Sequence, residues 1–137
     1  MPGYGSVFST RSGFRAIRGE QSHRTAKAID WLKSNYEKPL RVEELAQMAR
    51  MGVSTFHHHF RDMTAMSPVQ YQKQLRLQAA RARMLTDDLD ASSAAIQVGY
   101  ESVSQFNREY SRLFGQPPMR DIRALRSSGT SQDSVRT

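Results

Sequence analysis

The sequence contains no cysteine among its 137 residues. That absence excludes disulfide bonds, thiolate metal ligands and cysteine nucleophiles. No apolar run approaches the roughly 18 residues that a membrane-spanning helix needs, and the chain shows no secretory signal. We therefore expect the cytoplasm as the compartment and no membrane partner.

Motifs that carry enzymatic chemistry are also missing. The chain has no glycine-rich phosphate loop, no nucleophile elbow and no carboxylate pair framed by apolar residues. The run His57-His58-His59 invites a metal interpretation, but adjacent helical residues point about 100° apart and cannot converge on one ion. The sequence therefore predicts no catalytic residue, no metal site and no cofactor, and we expect that the protein is not an enzyme.

What the chain has in excess is positive charge. Its formal net charge is +7. Lysine and arginine concentrate in residues 57–83 and 102–126, whereas residues 84–101 hold four acidic residues and no basic one. Two basic segments separated by an acidic connector indicate two surfaces for a polyanion, although ordinary exposed helix faces would give the same charges.

One pattern occurs twice along the chain, about 50 residues apart. An alanine of each copy repeats at an offset of 49 residues, whereas three later positions repeat at an offset of 50, so the second copy has one extra residue in its turn. Each copy reads as a short apolar helix, a tight turn and a longer helix with polar outer positions, which is the pattern of a helix-turn-helix. The repeated pairs are Ala46 and Ala95, Phe56 and Phe106, Phe60 and Tyr110, and Pro68 and Pro118.

The repeat predicts an all-α fold of about seven helices, with two helix-turn-helix subdomains joined by a long linker helix. The first helix should begin after Ser22 as its N-cap and the last should end near Leu125. The expected divisions are a flexible arm or linker remnant (1–21), the first subdomain (22–66), the linker helix (67–86), the second subdomain (87–126) and a disordered tail (127–137).

Local signals place several helix ends and buried stripes. Ser67-Pro68 predicts the start of the linker helix, because serine caps helices and proline suits their first position. Ser92 or Ser93 should open helix five. The stripes expected to face inward are Phe56, Phe60 and Met63 in helix three; Tyr71, Leu75, Ala79 and Ala82 in the linker helix; and Phe106, Tyr110, Leu113 and Phe114 in helix six.

The opposite faces of helices three and six carry side chains that can hydrogen-bond base edges. Any amphipathic helix has polar residues outside, but the two outward sets bear the same numerical relation to their cores. Arginine and lysine nearby suit phosphate contacts. The predicted base readers are Ser54, His57, His58, Ser104, Asn107 and Arg108, and the predicted phosphate contacts are Arg61, Lys73, Arg76 and Arg112.

Three segments in order resemble the DNA-binding domain of the AraC/XylS family of bacterial transcription regulators. Ser67–Leu77 is similar to the start of its linker helix, Val98–Phe106 to its second turn and recognition helix, and Phe114–Pro118 to the close of that unit. The resemblance implies recognition helices three and six in successive major grooves, and it supports the base readers named above. Family members usually carry a sensing or dimerising domain, commonly upstream, so we expect this chain to be a fragment or truncated product.

The first copy departs from the family pattern at three positions. Arg50 stands where the turn normally has glycine, Gly52 where it has a serine N-cap, and Ala65 where glycine ends the recognition helix. If the backbone is unchanged, Arg50 and Ala65 must adopt positive φ, which costs about 1 kcal/mol each.

We therefore expect a sequence-specific, double-stranded DNA-binding transcription regulator, an activator that is associated with the nucleoid and has RNA polymerase as a partner. Two other classes stay open at this stage. The chain could be the regulatory DNA-binding module of a DNA-repair or modification enzyme, or a basic helical RNA-binding protein. RNA-binding modules usually expose aromatic residues for stacking, whereas most aromatic residues here fall on inward stripes.

Overall fold

The computed structural model describes the backbone of residues 19–136 and the side chains of residues 19–129. This part of the chain is helical, with no strand, and none of its helices has the length and apolar character needed to cross a membrane. The all-α prediction is therefore confirmed. The helices are α1 (residues 19–34), α2 (Val42–Met48), α3 (Val53–Thr64), α4 (Pro68–Thr86), α5 (Ala91–Gln97), α6 (Val103–Phe114) and α7 (Pro118–Arg136).

The chain forms two compact units. The first comprises the described residues up to Ser34 together with Leu40–Tyr71. The rings of Phe56 and Phe60 pack 5.6 Å apart in its core, and Tyr71 meets Phe60 edge to face at 5.5 Å. Helices α1 and α2 bury the remaining core residues, which are Ala28, Ile29, Leu32, Leu45, Ala46 and Ala49.

The second unit comprises residues 35–39 and the chain from Gln72 onward. Its core is one contiguous cluster to which α4, α5, α6 and α7 all contribute, together with the turn before α6. The buried members are Leu77, Ala80, Met84, Ala94, Ala95, Val98, Tyr100, Phe106, Tyr110 and Ile122.

Residues 35–39 belong to the second unit, although they follow α1 directly and the sequence-based division assigned them to the first subdomain. Two side chains of α4 hold this segment. Gln72 Nε2 donates to the carbonyl oxygens of Tyr36 and Lys38 at 3.2 and 2.8 Å. Arg76 donates to the same two oxygens at 2.6 Å (Nε) and 3.0 Å (Nη2). Hydrogen bonds to an irregular segment leave no periodic signal, which is why the sequence did not indicate this placement.

The buried face of α4 differs from the predicted stripe. Gln72, Leu77, Ala80 and Met84 are buried, whereas Ala82 is exposed and Leu75 and Ala79 are only half-buried. The helix contributes its start to the first unit and the rest to the second, so no single stripe serves its whole length. A prediction from helical periodicity assumes that one surface covers the helix along its whole length.

Two predicted inward residues near helix C-termini are also exposed. Met63 in α3 is 45% exposed and Leu113 in α6 is 39% exposed, so both predictions were wrong. An apolar stripe is buried only where a neighbouring element covers it, and the covered part of these stripes is centred on the aromatic residues one turn earlier.

The helix caps agree with the sequence at some ends and not at others. Ser67 and Gln70 exchange hydrogen bonds between side chain and backbone at 3.0 and 3.2 Å, which confirms the predicted start of α4. Helix α5 begins after Asp90, whose carboxylate accepts from the backbone N–H of Ser93 at 2.8 Å, so Ser93 is a capped residue and not the cap. Ser22 lies inside α1 and caps nothing.

The two termini differ from the expectation where the structure describes them. The predicted arm 1–21 lies outside the described residues except for 19–21, which are helical. Helix α7 continues to Arg136, beyond the predicted end near Leu125 and into the segment expected to be a disordered tail. Extending a formed helix by one residue costs far less free energy than nucleating a new one. Because the first turn of α7 is already packed, the helix can continue beyond its last residue in the core.

Two of the three departures from the family pattern in the first copy, Arg50 and Ala65, have the predicted backbone. Arg50 has φ 55° and Ala65 has φ 63°, both left-handed. The equivalent positions of the second copy are glycines in the same region, Gly99 at φ 104° and Gly115 at φ 87°. The two copies therefore share left-handed backbone at these two positions, and the first copy bears the cost of side chains there.

Replacing Ala65 with glycine should stabilise the protein, because Ala65 occupies the left-handed C-cap of α3. We expect a gain of several tenths to about 1 kcal/mol in the free energy of unfolding, measured by urea denaturation. The control is Ala82→Gly in the exposed interior of α4, where glycine should destabilise by about 1 kcal/mol. If both substitutions lowered stability, strain at Ala65 would be disproved.

Candidate nucleic-acid interface

Helix α6 is held firmly at both ends. Ser102 Oγ accepts from the backbone N–H of Gln105 at 3.2 Å, and the helix ends at the left-handed Gly115. On its inner face Phe106 and Tyr110 are fully buried, with ring centroids 5.6 Å apart. Since both ends and one face are fixed, the residues that point outward have a defined direction.

The predicted base readers of α6 are all exposed. Ser104, Asn107 and Arg108 lie on the outer face, with Arg112 one turn further along. An open groove of about 850 Å³ runs beside this face. Its walls carry both arginines, so the groove combines hydrogen-bond donors with positive charge. The lining residues are Ala91, Asn107, Arg108, Ser111, Arg112, Pro117, Pro118 and Met119.

Helix α3 presents the corresponding face of the first unit. Ser54, His58 and Arg61 are exposed and His57 is half-buried. His58 Nε2 lies 3.5 Å from Asp62 Oδ2, an exposed pair one turn apart. The N-cap is Gly52, which has no side chain to accept a hydrogen bond, in contrast with Ser102 of the second copy. The face is therefore present, on a helix whose first turn is less firmly capped.

The structure gives two of the predicted phosphate contacts other partners within the second unit. Lys73 Nζ lies 2.7 Å from Glu109 Oε1, and Arg76 donates to the carbonyl oxygens of residues 36 and 38. The guanidinium of Arg76 also lies 5.8 Å from the ring centroid of Tyr100. Both cations therefore serve the packing of this unit, whereas Arg61 and Arg112 are exposed.

Sequence reasoning missed a buried acid in this unit. The carboxylate of Asp121 is 3% exposed and accepts two hydrogen bonds from Arg81, at 2.9 and 3.0 Å, and one from Tyr110 at 2.5 Å. Burial, and then the bond to this carboxylate, raise the pKa of Tyr110 well above its ordinary value, so the hydroxyl donates. Asp121 lies in the first turn of α7, three residues after its first position. Exposed acidic residues are common there, so the sequence did not indicate that this one is buried.

No group of three or more histidine and acidic side chains that could hold a metal ion occurs among the described residues. The histidines at 57, 58 and 59 are dispersed around α3, with the rings of His58 and His59 6.0 Å apart and nearly perpendicular.

A helix-turn-helix domain family matches residues 45–124 of the chain. Among curated proteins, the transcriptional activator RhaS of Yersinia pestis bv. Antiqua (strain Angola) is 30% identical over 108 residues. That match covers 79% of this chain and 39% of RhaS, so the chain spans about two fifths of the length of the curated relatives it matches.

Two solved structures share the fold. The DNA-binding domain of AdpA, a global transcriptional factor solved in complex with a target DNA, superimposes with a TM-score of 0.71 at 26% identity, covering 77% of this chain and 95% of that one. A probable AraC family transcriptional regulator from Rhodopseudomonas palustris CGA009 gives a TM-score of 0.67 at 20% identity, covering 74% and 96%.

These similarities agree with the structure, which has two helix-turn-helix copies and exposed polar faces on α3 and α6. The chain belongs to the AraC/XylS family of transcription regulators and carries the DNA-binding domain of that family.

Proposed function

We propose that this chain recognises a specific duplex DNA sequence with α3 and α6, each in one of two successive major grooves. The observation that carries the proposal is the repetition: both helices follow a turn with a left-handed residue, bury the same two aromatic positions and expose polar side chains at equivalent positions. An exposed helix of this kind fits the major groove of B-DNA, where all four base pairs can be distinguished.

The proposed base readers are Ser104, Asn107 and Arg108 on α6 and Ser54, His57 and His58 on α3. Arginine can make two hydrogen bonds to guanine, and asparagine can make two to adenine. The proposed phosphate contacts are the exposed Arg61 and Arg112, which would fix the register of each helix without reading sequence. We leave Lys73 and Arg76 out of this set because of their partners within the second unit.

The small exposure of the aromatic side chains argues against the RNA-binding alternative. No phenylalanine, tyrosine or tryptophan among the described residues is exposed, since five of the nine are buried and four are half-buried, so they offer little surface on which single-stranded bases could stack. Binding to one duplex and to each of its separated strands would distinguish the two functions. Preference for the duplex supports the proposal.

We further propose that the protein acts as an activator at the nucleoid and that RNA polymerase is its protein partner. The support is the likeness to RhaS, which is named a transcriptional activator. Transcription from a promoter that carries the selected DNA site should rise when the protein is added. An unchanged or lower transcript level would count against activation.

The two arginines of α6 should respond differently to substitution. Arg108→Ala should reduce the discrimination between a matched and a mismatched duplex, since losing one bidentate arginine–guanine contact costs about 1–3 kcal/mol at one position. Arg112→Ala should weaken binding to all sequences alike and lower the salt dependence by about one phosphate contact. Affinities of both variants for matched and mismatched sites at several salt concentrations test this, and identical profiles would refute the assignment.

A further inference from the structure

Glu109 lies on the flank of α6, directly after the proposed base reader Arg108. Its carboxylate accepts three hydrogen bonds: from Tyr100 Oη at 2.6 Å, from Lys73 Nζ at 2.7 Å and from Gln105 Nε2 at 3.3 Å. One donor comes from the turn before α6, one from α4 and one from α6 itself. This acid thus connects the recognition helix to two other elements of the second unit.

The network is charged and its acceptor is mostly covered, whereas Lys73 and Gln105 are more open to solvent. The side chain of Glu109 is 17% exposed. Burial by itself would raise the pKa of Glu109, but the hydrogen bonds from Lys73, Tyr100 and Gln105 together hold it below its usual value. Burial, and then the bond to Glu109, raise the pKa of Tyr100 well above its ordinary value. The carboxylate therefore stays ionised and the phenol stays protonated, so both are ready to make this bond.

The partner of Glu109 in the turn is itself fixed. The ring of Tyr100 meets that of Phe106 nearly edge to face, with centroids 5.3 Å apart, and the guanidinium of Arg76 lies over the Tyr100 ring. Arg76 is held in turn by the carbonyl oxygens of residues 36 and 38. The flank of α6 is consequently tied to a rigid series of contacts that reaches α4.

The first copy has no such network. The residues at the positions equivalent to Tyr100, Gln105 and Glu109 are Met51, Thr55 and His59. None of these three is acidic. The network is therefore a property of the second copy and not a requirement of the helix-turn-helix fold.

We propose that Glu109 is a positioning residue for base recognition, because its carboxylate fixes the rotation of α6 about its own axis and thereby the direction in which Asn107 and Arg108 leave the helix. Phe106 and Tyr110 anchor the inner face of α6, and the hydrogen bonds of Glu109 add an anchor on its flank that opposes rotation about the helix axis. Hydrogen bonds to base edges are lost over small displacements, so a rolled helix would still bind DNA but discriminate less. This inference rests on the proposed function, in which α6 reads bases.

The test compares variants on the duplex that the parent chain selects from random DNA and on single-base changes within it. For Glu109→Ala we expect the ratio of matched to mismatched affinity to fall about fivefold to tenfold at the bases read by α6, a part of what one bidentate contact supplies. Discrimination at the bases read by α3 should be unchanged. Glu109→Gln should keep the ratio, because its amide oxygen can still accept from Tyr100.

Two further variants separate positioning from charge and from folding. Glu101→Gln removes one exposed negative charge near the same helix and leaves the hydrogen bonds of Glu109 in place, so it should leave the ratio unchanged. Tyr100→Phe removes only the hydroxyl that donates to Glu109 and should lower the ratio at least twofold. If Glu109→Ala does not fold, Tyr100→Phe alone decides, and an unchanged ratio overturns the proposal.

The remaining outcomes are equally decisive. If Glu109→Ala and Glu109→Gln raise all affinities alike with the ratio preserved, Glu109 acts only as a repelling charge and the proposal is wrong. Arg108→Ala in the same assay reports on the proposed function. If Arg108→Ala lowers the ratio and Glu109→Ala does not, only the positioning role fails. If neither variant lowers the ratio of matched to mismatched affinity, the proposed base reading by α6 is itself wrong.

Discussion

Replacing Asp121 with alanine should lower the free energy of unfolding by about 3 kcal/mol, since removing one partner of a buried, hydrogen-bonded ion pair leaves the others uncompensated. The substitution would remove the hydrogen-bond acceptor of the fully buried Tyr110 hydroxyl and of the Arg81 guanidinium. It would also release Arg81 from its position 4.2 Å from the ring centroid of Phe114. Three helices, α4, α6 and α7, meet at this carboxylate, so we expect a loss of stability throughout the second unit.

Urea denaturation of the variant and the parent measures this effect. The control is Glu44→Gln, which breaks the exposed pair of Arg41 and Glu44 at 4.0 Å and should change stability by no more than about 0.5 kcal/mol. If Asp121→Ala behaved like this control, Asp121 would not be the structural centre of the unit. The variant Asp121→Asn should fall between the two, because it keeps one acceptor and loses the charge.

Replacing Gly99 with alanine should also be strongly destabilising. Gly99 has φ 104°, and a Cβ there would lie 2.5 Å from the carbonyl oxygen of Glu37 and 2.9 Å from Arg76 Nη2. The arginine tip can move, but a backbone oxygen cannot without displacing the segment that Arg76 and Gln72 hold. Left-handed strain and overpacking together should cost about 2–4 kcal/mol.

Gly115→Ala is the matched control for that clash. Gly115 has φ 87°, but a Cβ there would meet nothing within 4 Å. It should therefore cost only about 1 kcal/mol, from backbone strain alone. Equal losses for the two variants in urea denaturation would show that the close approach of residues 37 and 99 has no energetic consequence.

The repeat made most of the fold predictable. An offset that changes by one residue at a single place located both turns, and the family pattern, whose glycines the second copy keeps as Gly99 and Gly115, indicated which positions in the first copy must be left-handed. The φ values of Arg50 and Ala65 could thus be predicted even though neither residue favours such a backbone by itself. A single copy would not have supplied this comparison.

Residues that bond to distant parts of the chain were less predictable. Arg76, Lys73 and Asp121 each look like an exposed charge when only their own helix is considered. The partners Tyr36, Glu109 and Arg81 lie 36 to 40 positions away, and no local pattern encodes such a contact. The outward residues of α3 and α6 could be predicted, because exposure follows from helical periodicity once the buried aromatic residues are known.

Hydroxyl-radical footprinting of the chain on its selected duplex tests the central claim most directly. If one chain places α3 and α6 in successive major grooves, protection should appear as two patches on one face of the DNA, about one helical turn or roughly 34 Å apart and spanning about 20 base pairs. Both patches should already appear when only one chain is bound to each duplex. A single short patch, or protection that requires two chains on a palindrome, would contradict the account.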